Sequence, residues 1–338
     1  GDSWLMVASG FSGASALGYQ LAIRNSDKSL WAWGYNGLGQ LGDGTTIDKS
    51  TMVKIGSSSW SVVSTQGSTS LAIDITGKLY GWGRNTSGQI GDGTTVNKST
   101  PTTIATLSGS WSSVSSGDDS SAGISINGEL YTWGLNSTGQ LGAGTTTNRS
   151  TPAKVGTSSW SMVTVATSNM HAVDSLGGLY SWGDNTYGQI GDATTVNRSS
   201  PVKVQNYDYS SWKMVALGNH TLAIAITDGS LWSWGRGNEG QLGDGTTVSR
   251  SSPVQVGTSS WTFVSVGASH SVALTTDGIM YVWGNNASGQ LGDGTTVGGK
   301  SSPTLVPVFF NSWSEVATGN SFVIAISSKD SSLWAWGR

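Results

Sequence analysis

Residues 179–204 read LYSWGDNTYGQIGDATTVNRSSPVKV, and the two signatures inside this stretch recur along the whole chain. Trp-Gly returns at Trp33, Trp82, Trp133, Trp182, Trp234, Trp283 and Trp336, at spacings of 49 to 53 residues. The GQLGDGTT-like loop begins at Gly39, Gly88, Gly139, Gly188, Gly240 and Gly289. A third marker, Ser-Trp, precedes each Trp-Gly, at Trp4, Trp60, Trp111, Trp160, Trp212, Trp261 and Trp313. The last three tryptophans, Trp31, Trp232 and Trp334, fill the slot held elsewhere by Tyr80, Tyr131, Tyr180 and Tyr281, so all 17 are positions of one repeat. Self-similarity at a period near 50 is the mark of a repeat architecture. Within a unit, apolar residues alternate at period two, β-branched and aromatic residues fill the runs, and turn residues interrupt them. Each unit therefore offers up to four short strands. One such sheet cannot bury both faces, whereas several around an axis can, which predicts an all-β, seven-bladed β-propeller.

Composition agrees with that reading. Glycine supplies 49 of 338 residues without a Gly-X-Y period, which argues against collagen and against long helices. With 36% hydrophobic residues and 17 Trp the chain has the means to build a core. Only 11% of residues are charged, the net charge is −3, and cations come singly, so no nucleic-acid partner and no anionic membrane is expected. The longest apolar runs, such as LAIAI from Leu222, are far shorter than a membrane span, so no membrane insertion is expected. Zero cysteines exclude disulfide and thiolate chemistry. The chain begins with Gly and shows no signal peptide, which reads as a processed protein or a piece of a longer one.

The combination SSW..V, G..H, DG.LY.WG.N..GQLGDGTT and SP..V resembles the regulator of chromosome condensation repeat family over essentially all of the chain. That resemblance implies a seven-bladed propeller, with blades starting near residues 3, 59, 110, 159, 211, 260 and 312. It implies no single function, since members include exchange factors, a photoreceptor, a secreted enzyme inhibitor and phage virion proteins. The exchange factors displace nucleotide with a protruding wedge, and no connection here is long enough to be an evident one. The photoreceptor's Gly-Trp-Arg-His-Thr motif corresponds here to GSTS at Gly67, GDDS at Gly117, GNHT at Gly218 and GASH at Gly267, none with Trp or Arg.

Two nucleotide-binding patterns are rejected. GLGQLG at Gly37 and GTTVGGKS at Gly294 satisfy the dinucleotide and phosphate-loop expressions, but both are ordinary repeat loops with no helix to follow. His171, His220 and His270 fall in consecutive units near the same turn and read as structural hydrogen-bonding residues, not zinc ligands. Each GQLGDGTT loop carries one Asp at most, which suits a turn acceptor. The alternative, a calcium site, needs several carboxylates or carbonyls per ion. Asp118-Asp119 and Asp228 read as solvated turn residues rather than a glycosidase pair. No cofactor, metal or catalytic residue is expected.

The expected function is a non-catalytic structural or protein-interaction propeller exposed outside the cell, as a phage virion decoration, fibre or receptor-contact protein. The alternative is a cytoplasmic regulator of a small GTPase. Its partner would be another protein or its own copies. Every second connection between units is longer and carries apolar residues, giving Leu107, Tyr207, Tyr209, Phe309 and Phe310 as candidate partner contacts; packing on their own blades is the alternative. The surplus of unit one, Ala8 to Gly18, reads as a small-residue loop. Seven Trp-Gly strands face only six loop-plus-outer-strand segments, so blade seven should have three strands. That leaves Leu333, Trp334, Ala335 and Trp336 as a candidate open seam edge.

Overall fold

The computed structural model describes residues 3–11, 18–104, 109–204, 211–306, 312–330 and 332–338. Every regular element among them is a strand, as the repeat pattern predicts. The strands fall into two compact units, residues 1–175 with 198–201, and residues 176–197 with 202–338.

The first unit opens with β1 (Trp4–Phe11), β2 (Gly18–Arg24), β3 (Ser29–Gly34), β4 (Lys49–Gln66), β5 (Thr69–Asp74), β6 (Leu79–Gly83) and β7 (Lys98–Thr103), paired in chain order. The 18-residue β4 is composite. Its first half, Lys49 to Ile55, pairs with β3, and its second half, Trp60 to Gln66, pairs with β5. Two antiparallel sheets of four strands thus share one continuous strand. A separate four-stranded sheet follows, β8 (Trp111–Ser116), β9 (Ser120–Ser125), β10 (Leu130–Gly134) and β11 (Arg149–Lys154). β12 (Trp160–Val165) and β13 (Asn169–Asp174) then form an antiparallel hairpin.

Next in the chain come β14 (Leu179–Gly183) and β15 (Arg198–Lys203). The second unit contains two four-stranded sheets. They are β16 (Trp212–Leu217), β17 (His220–Ala225), β18 (Leu231–Gly235) and β19 (Arg250–Gln255), then β20 (Trp261–Val266), β21 (His270–Thr275), β22 (Met280–Gly284) and β23 (Lys300–Leu305). A three-stranded sheet ends it, β24 (Trp313–Thr318), β25 (Phe322–Ser327) and β26 (Leu333–Gly337).

The core lies between successive sheets. Leu222, Ile224, Leu231 and Val256 of one sheet pack with Trp261, Val264, Ala273 and Trp283 of the next. Burial at period two along each strand brings these residues to the sheet faces, and burying them stabilises by roughly 25 cal/mol per Å². Ala8, Ser9, Gly10 and Phe11 are not loop but strand, paired with Leu21, Gln20, Tyr19 and Gly18. The first hairpin therefore has a longer ladder than its counterparts, although glycine is a poor strand residue. The remainder of that surplus, residues 12–17, lies outside the described residues.

Candidate functional site

The repeated residues that look most like chemistry are joined into one interlocking device. Trp82 Nε1 donates to the Gln40 carbonyl of the preceding repeat at 2.9 Å, and Ser70 Oγ donates to the same oxygen at 2.8 Å. The pair recurs as Trp133 and Ser121 on Gln89, at 2.9 and 2.8 Å, and as Trp283 and Ser271 on Gln241, at 2.8 and 2.7 Å. Trp336 on Gln290 keeps the indole bond at 3.1 Å. The loop glycine two residues after the glutamine makes room: a Cβ on Gly42, Gly91 or Gly243 would sit 2.7 Å from the indole nitrogen. The loop itself is held from within. Asn36 Oδ1 accepts the Leu41 N–H at 2.9 Å, and Gln40 Oε1 accepts the Leu38 N–H at 2.9 Å. Leu41 and its equivalents Ile90, Leu141, Ile190, Leu242 and Leu291 are buried, as expected of residues that plug between sheets.

The loop carboxylates are committed in the same way. Asp43 Oδ1 accepts from the Thr45 N–H at 2.9 Å and from Asn36 Nδ2 at 3.1 Å, and Oδ2 faces Lys49 Nζ at 3.2 Å. Burial alone would raise this carboxyl, but the Thr45 bonds and then Lys49 bring it below the ordinary aspartate value. Asp92 repeats the arrangement with Thr94, Asn85 and Lys98. Among the described residues no cluster of His, Asp and Glu is placed to hold a metal ion.

The three histidines lie near equivalent turns but not at one position. His220 and His270 occupy the same register, opposite Gly235 and Gly284, where the first and last sheets carry Tyr19 and Phe322. His171 lies two residues further along its strand. It pairs with Thr164 as Leu222 pairs with Ala216 and Val272 with Ser265. A two-residue offset keeps a side chain on the same face, so the periodicity carries no trace of it. His220 Nε2 lies 2.7 Å from Ser271 Oγ. Because Ser271 already donates its proton to the Gln241 carbonyl, the network assigns the donor role to His220 Nε2. That polarity is the reverse of a base set to take a serine proton.

Burial, with His270 and Arg236 adding to it, pulls the His220 pKa from 6.5 down to about 3, and burial pulls His270 to about 4. Both rings stay neutral in the fold, while the unfolded chain protonates near 6.5. Their stabilising contribution is complete above that pH and is lost as pH falls toward the folded values. Each costs up to about 1.4 kcal/mol per pH unit in that window. The urea midpoint is therefore expected to drop between about pH 7.5 and about pH 5.5. His270→Phe, which copies Phe322 in the equivalent place, should flatten part of that drop. A midpoint constant over the interval would contradict the assignment.

The acidic pair is not solvated as expected. Asp119 Oδ1 meets Arg84 Nη1 at 3.0 Å and Gln89 Nε2 at 3.0 Å, and Asp118 Oδ2 accepts from Thr167 Oγ1 at 3.0 Å. Both are half-buried, and burial raises the Asp118 carboxyl. The turn sequence hides this because the partners come from other repeats. Asp228 is exposed and accepts the Ser230 N–H at 2.9 Å, an ordinary turn role.

Leu107, Tyr207, Tyr209, Phe309 and Phe310 lie outside the described residues. Leu333, Trp334, Ala335 and Trp336 form β26, which pairs with β25 on one side and with no strand on the other among the described residues. Leu333 is 69% exposed, whereas Leu30, Leu79, Leu130, Leu231 and Met280 at the same place in their strands are 0–1% exposed. Trp334 is 37% exposed and Trp336 half-buried. β1 is similarly open, with Trp4 at 37% and Leu5, Met6 and Val7 exposed. Sequence reasoning missed a further set. Ile47, Val96, Val196, Val248 and Val297 each follow a Gly-Thr-Thr or Ala-Thr-Thr turn and are all exposed. The signal was the recurrence of an apolar residue inside an otherwise polar loop.

The sequence profile of the Regulator of chromosome condensation (RCC1) repeat matches residues 76–124, 127–173, 177–224, 228–274 and 277–326, and a second profile of that repeat matches 111–140 and 261–290. The crystal structure of human WBSCR16 superposes with a TM-score of 0.83 at 22% identity, covering 97% of this chain and 88% of that one. Prp20p of Saccharomyces cerevisiae, described with its binding to Gsp1p and histones, gives 0.82 at 21% identity, covering 97% and 83%. The ectodomain of the Arabidopsis thaliana receptor kinase ACR4 gives 0.61 at 14% identity, covering 99% and 96%. At these identities the structures speak for the fold. The repeats span most of the chain, the indole-to-carbonyl lock recurs at Trp82, Trp133, Trp234 and Trp283, and the chain belongs to the RCC1 repeat family.

Proposed function

We propose that the chain is a seven-bladed β-propeller that works as a non-catalytic protein-binding scaffold. Support for seven blades comes from the composite β4, which supplies the last strand of one sheet and the first of the next, and from the three-stranded final sheet. The observation that carries the scaffold reading is where the polar chemistry goes. The Trp-Gly indoles, Ser70, Ser121, Ser271 and His220 are turned inward on backbone carbonyls and on one another, while apolar side chains are left at the loop turns and on β26. Such a surface offers contact area and no reacting group.

The partner contacts are assigned to the longer connections, at Leu107, Tyr207, Tyr209, Phe309 and Phe310. Affinity capture with the full chain, set beside a Tyr207→Ser, Tyr209→Ser, Phe309→Ser, Phe310→Ser variant of unchanged circular dichroism, tests the assignment. A partner held by the parent and weakened at least about tenfold in the variant is expected, since such anchors carry on the order of 1–2 kcal/mol each. An unchanged set of captured proteins would overturn it.

A second reading, regulation of a small GTPase, is favoured by the likeness to Prp20p. The virion placement rests on the charge-poor composition and has no comparable relative behind it. Release of a fluorescent guanine nucleotide from small GTPases separates the two. Acceleration by the chain would replace the scaffold reading with the regulatory one, and no acceleration would leave the scaffold reading in place.

A further inference from the structure

We infer that the third repeat loop, residues 139–150, holds a binding slot for one carboxylate group brought from outside the loop. The inference goes beyond the scaffold reading and does not depend on it. Its ground is a comparison within the chain. Five sister loops carry a carboxylate of their own at this place, at Asp43, Asp92, Asp192, Asp244 and Asp293, and the third loop carries Ala143.

The donors that receive the sister carboxylates are the same each time. The N–H of the threonine two residues on donates to Oδ1 of Asp43, Asp92, Asp192, Asp244 and Asp293 at 2.9, 3.0, 3.0, 3.0 and 3.0 Å. The hydroxyl of that threonine donates to the same oxygen at 2.8, 2.8, 2.7, 2.7 and 2.7 Å. A cation at the start of the outer strand meets the other oxygen. Lys49 Nζ lies 3.2 Å from Asp43, Lys98 Nζ 3.2 Å from Asp92 and Arg250 Nη2 2.7 Å from Asp244. Burial would raise the Asp43, Asp92 and Asp244 carboxyls, yet the threonine bonds and the cations hold each below the ordinary aspartate value. The slot favours the charged form.

The third repeat keeps these donors and lacks the acceptor. Gly144 has φ +71°, against +84° at Gly44 and +85° at Gly93. Its N–H donates to the Ser199 carbonyl at 2.7 Å, as that of Gly44 donates to Ser99 at 2.8 Å, so the loop backbone holds its course without the aspartate. Asn136 Nδ2 is satisfied by the Thr145 and Thr147 carbonyls, at 2.9 and 3.0 Å. The Thr145 N–H, the Thr145 hydroxyl and the Arg149 guanidinium have no acceptor among the described residues. Arg149 is exposed, whereas Lys49, Lys98, Arg250 and Lys300 at the same place are half-buried. Thr145 is exposed where Thr45, Thr94 and Thr246 are half-buried. Both donors are therefore open to a guest.

The donor set names the guest. Two bonds from one threonine and a planar guanidinium suit a single carboxylate, which arginine can grip with two parallel N–H groups. An unbonded carbon approaches the Ala143 methyl to about 3.5–4.0 Å, so a guest would sit further out than a built-in aspartate, between Thr145 and Arg149. A free small carboxylate and an acidic side chain of another protein present the same group.

Amide NMR of the full chain, isotope-labelled at threonine, tests the slot, with Thr45, Thr94 and Thr246 as filled controls. Sodium acetate at constant ionic strength is expected to shift the Thr145 amide saturably and to leave the controls in place, and sodium chloride is expected to shift none of them. Arg149→Gln, at an exposed side chain, should weaken acetate about tenfold, the scale of one lost charge-assisted bond. Ala143→Asp copies the sister loops and should abolish the response. Acetyl-Gly-Asp-Gly-amide, with the Asn peptide as control, identifies the source. A response to the Asp peptide as well as acetate assigns the slot to an acidic side chain, and a response to acetate alone assigns it to a free small carboxylate. No saturable shift with acetate would overturn the inference. So would an equal shift with chloride or the Asn peptide, full affinity in Arg149→Gln, or an undiminished response in Ala143→Asp.

Discussion

Replacing Trp283 by alanine is expected to lower stability by about 3–5 kcal/mol, the range for truncating a fully buried large aromatic. Trp283 is completely buried between two sheets, among Leu222, Leu231, Val256 and Trp261. Its indole ring lies 6.4 Å from that of Trp261, and its Nε1 closes the bond to Gln241. Truncation removes the packing of two sheets at once and leaves the Gln241 carbonyl with Ser271 alone of that pair. Trp334→Ala is the matched control. That ring is 37% exposed and donates to Ser332 Oγ at 2.8 Å, so a loss near 1 kcal/mol is expected. Urea unfolding followed by circular dichroism compares the two. Similar losses would mean that the indole lock does not hold successive repeats together.

Gly284→Ala is expected to be as damaging, at about 3 kcal/mol or more, although it adds one methyl group. The residue sits at φ +101°, and an added Cβ would lie 2.5 Å from the Ser269 carbonyl oxygen and 2.8 Å from His270 Cα. Both obstacles are backbone of the adjacent strand, which cannot rotate away. Gly34, Gly83, Gly134, Gly235 and Gly337 share the left-handed φ and the close approach, which is why glycine follows the tryptophan in every repeat. Gly257 separates the two causes. Its φ is +62° with nothing within 4 Å of a Cβ, so Gly257→Ala should cost only about 1 kcal/mol. Thermal unfolding of the two variants measures the difference, and equal shifts would mean that φ alone accounts for the glycine.

The repeat was legible because its markers are local. Trp-Gly is one strand end, Asn-x-x-Gly-Gln-Leu-Gly is one self-bonded loop, and Ser-Pro marks a strand that can lack an N–H. Read at a 50-residue period, they specify the class of fold and the inward role of the tryptophans before any contact is known. The histidines were less legible, since alternation at period two tells the face of a strand but not the position along it. His171 and His220 look alike in sequence, and the pairing with Thr164 in one case and Gly235 in the other separates them.

Exposure was decided by tertiary structure alone. LYGWG at Leu79 and LWAWG at Leu333 are nearly the same word, yet Leu79 is buried and Leu333 is 69% exposed. A strand's own residues set which way its side chains point. Whether an apolar side chain then reaches water depends on the strand beside it, and β6 lies between β5 and β7 where β26, among the described residues, pairs with β25 alone. The same holds for Asp119, which reads as a turn residue until Arg84 and Gln89 arrive from the preceding repeat. The amino-acid sequence determined the unit, its strands and its self-bonded loops, because these depend on neighbours along the chain. The fold decided which units are covered, because burial depends on neighbours in space.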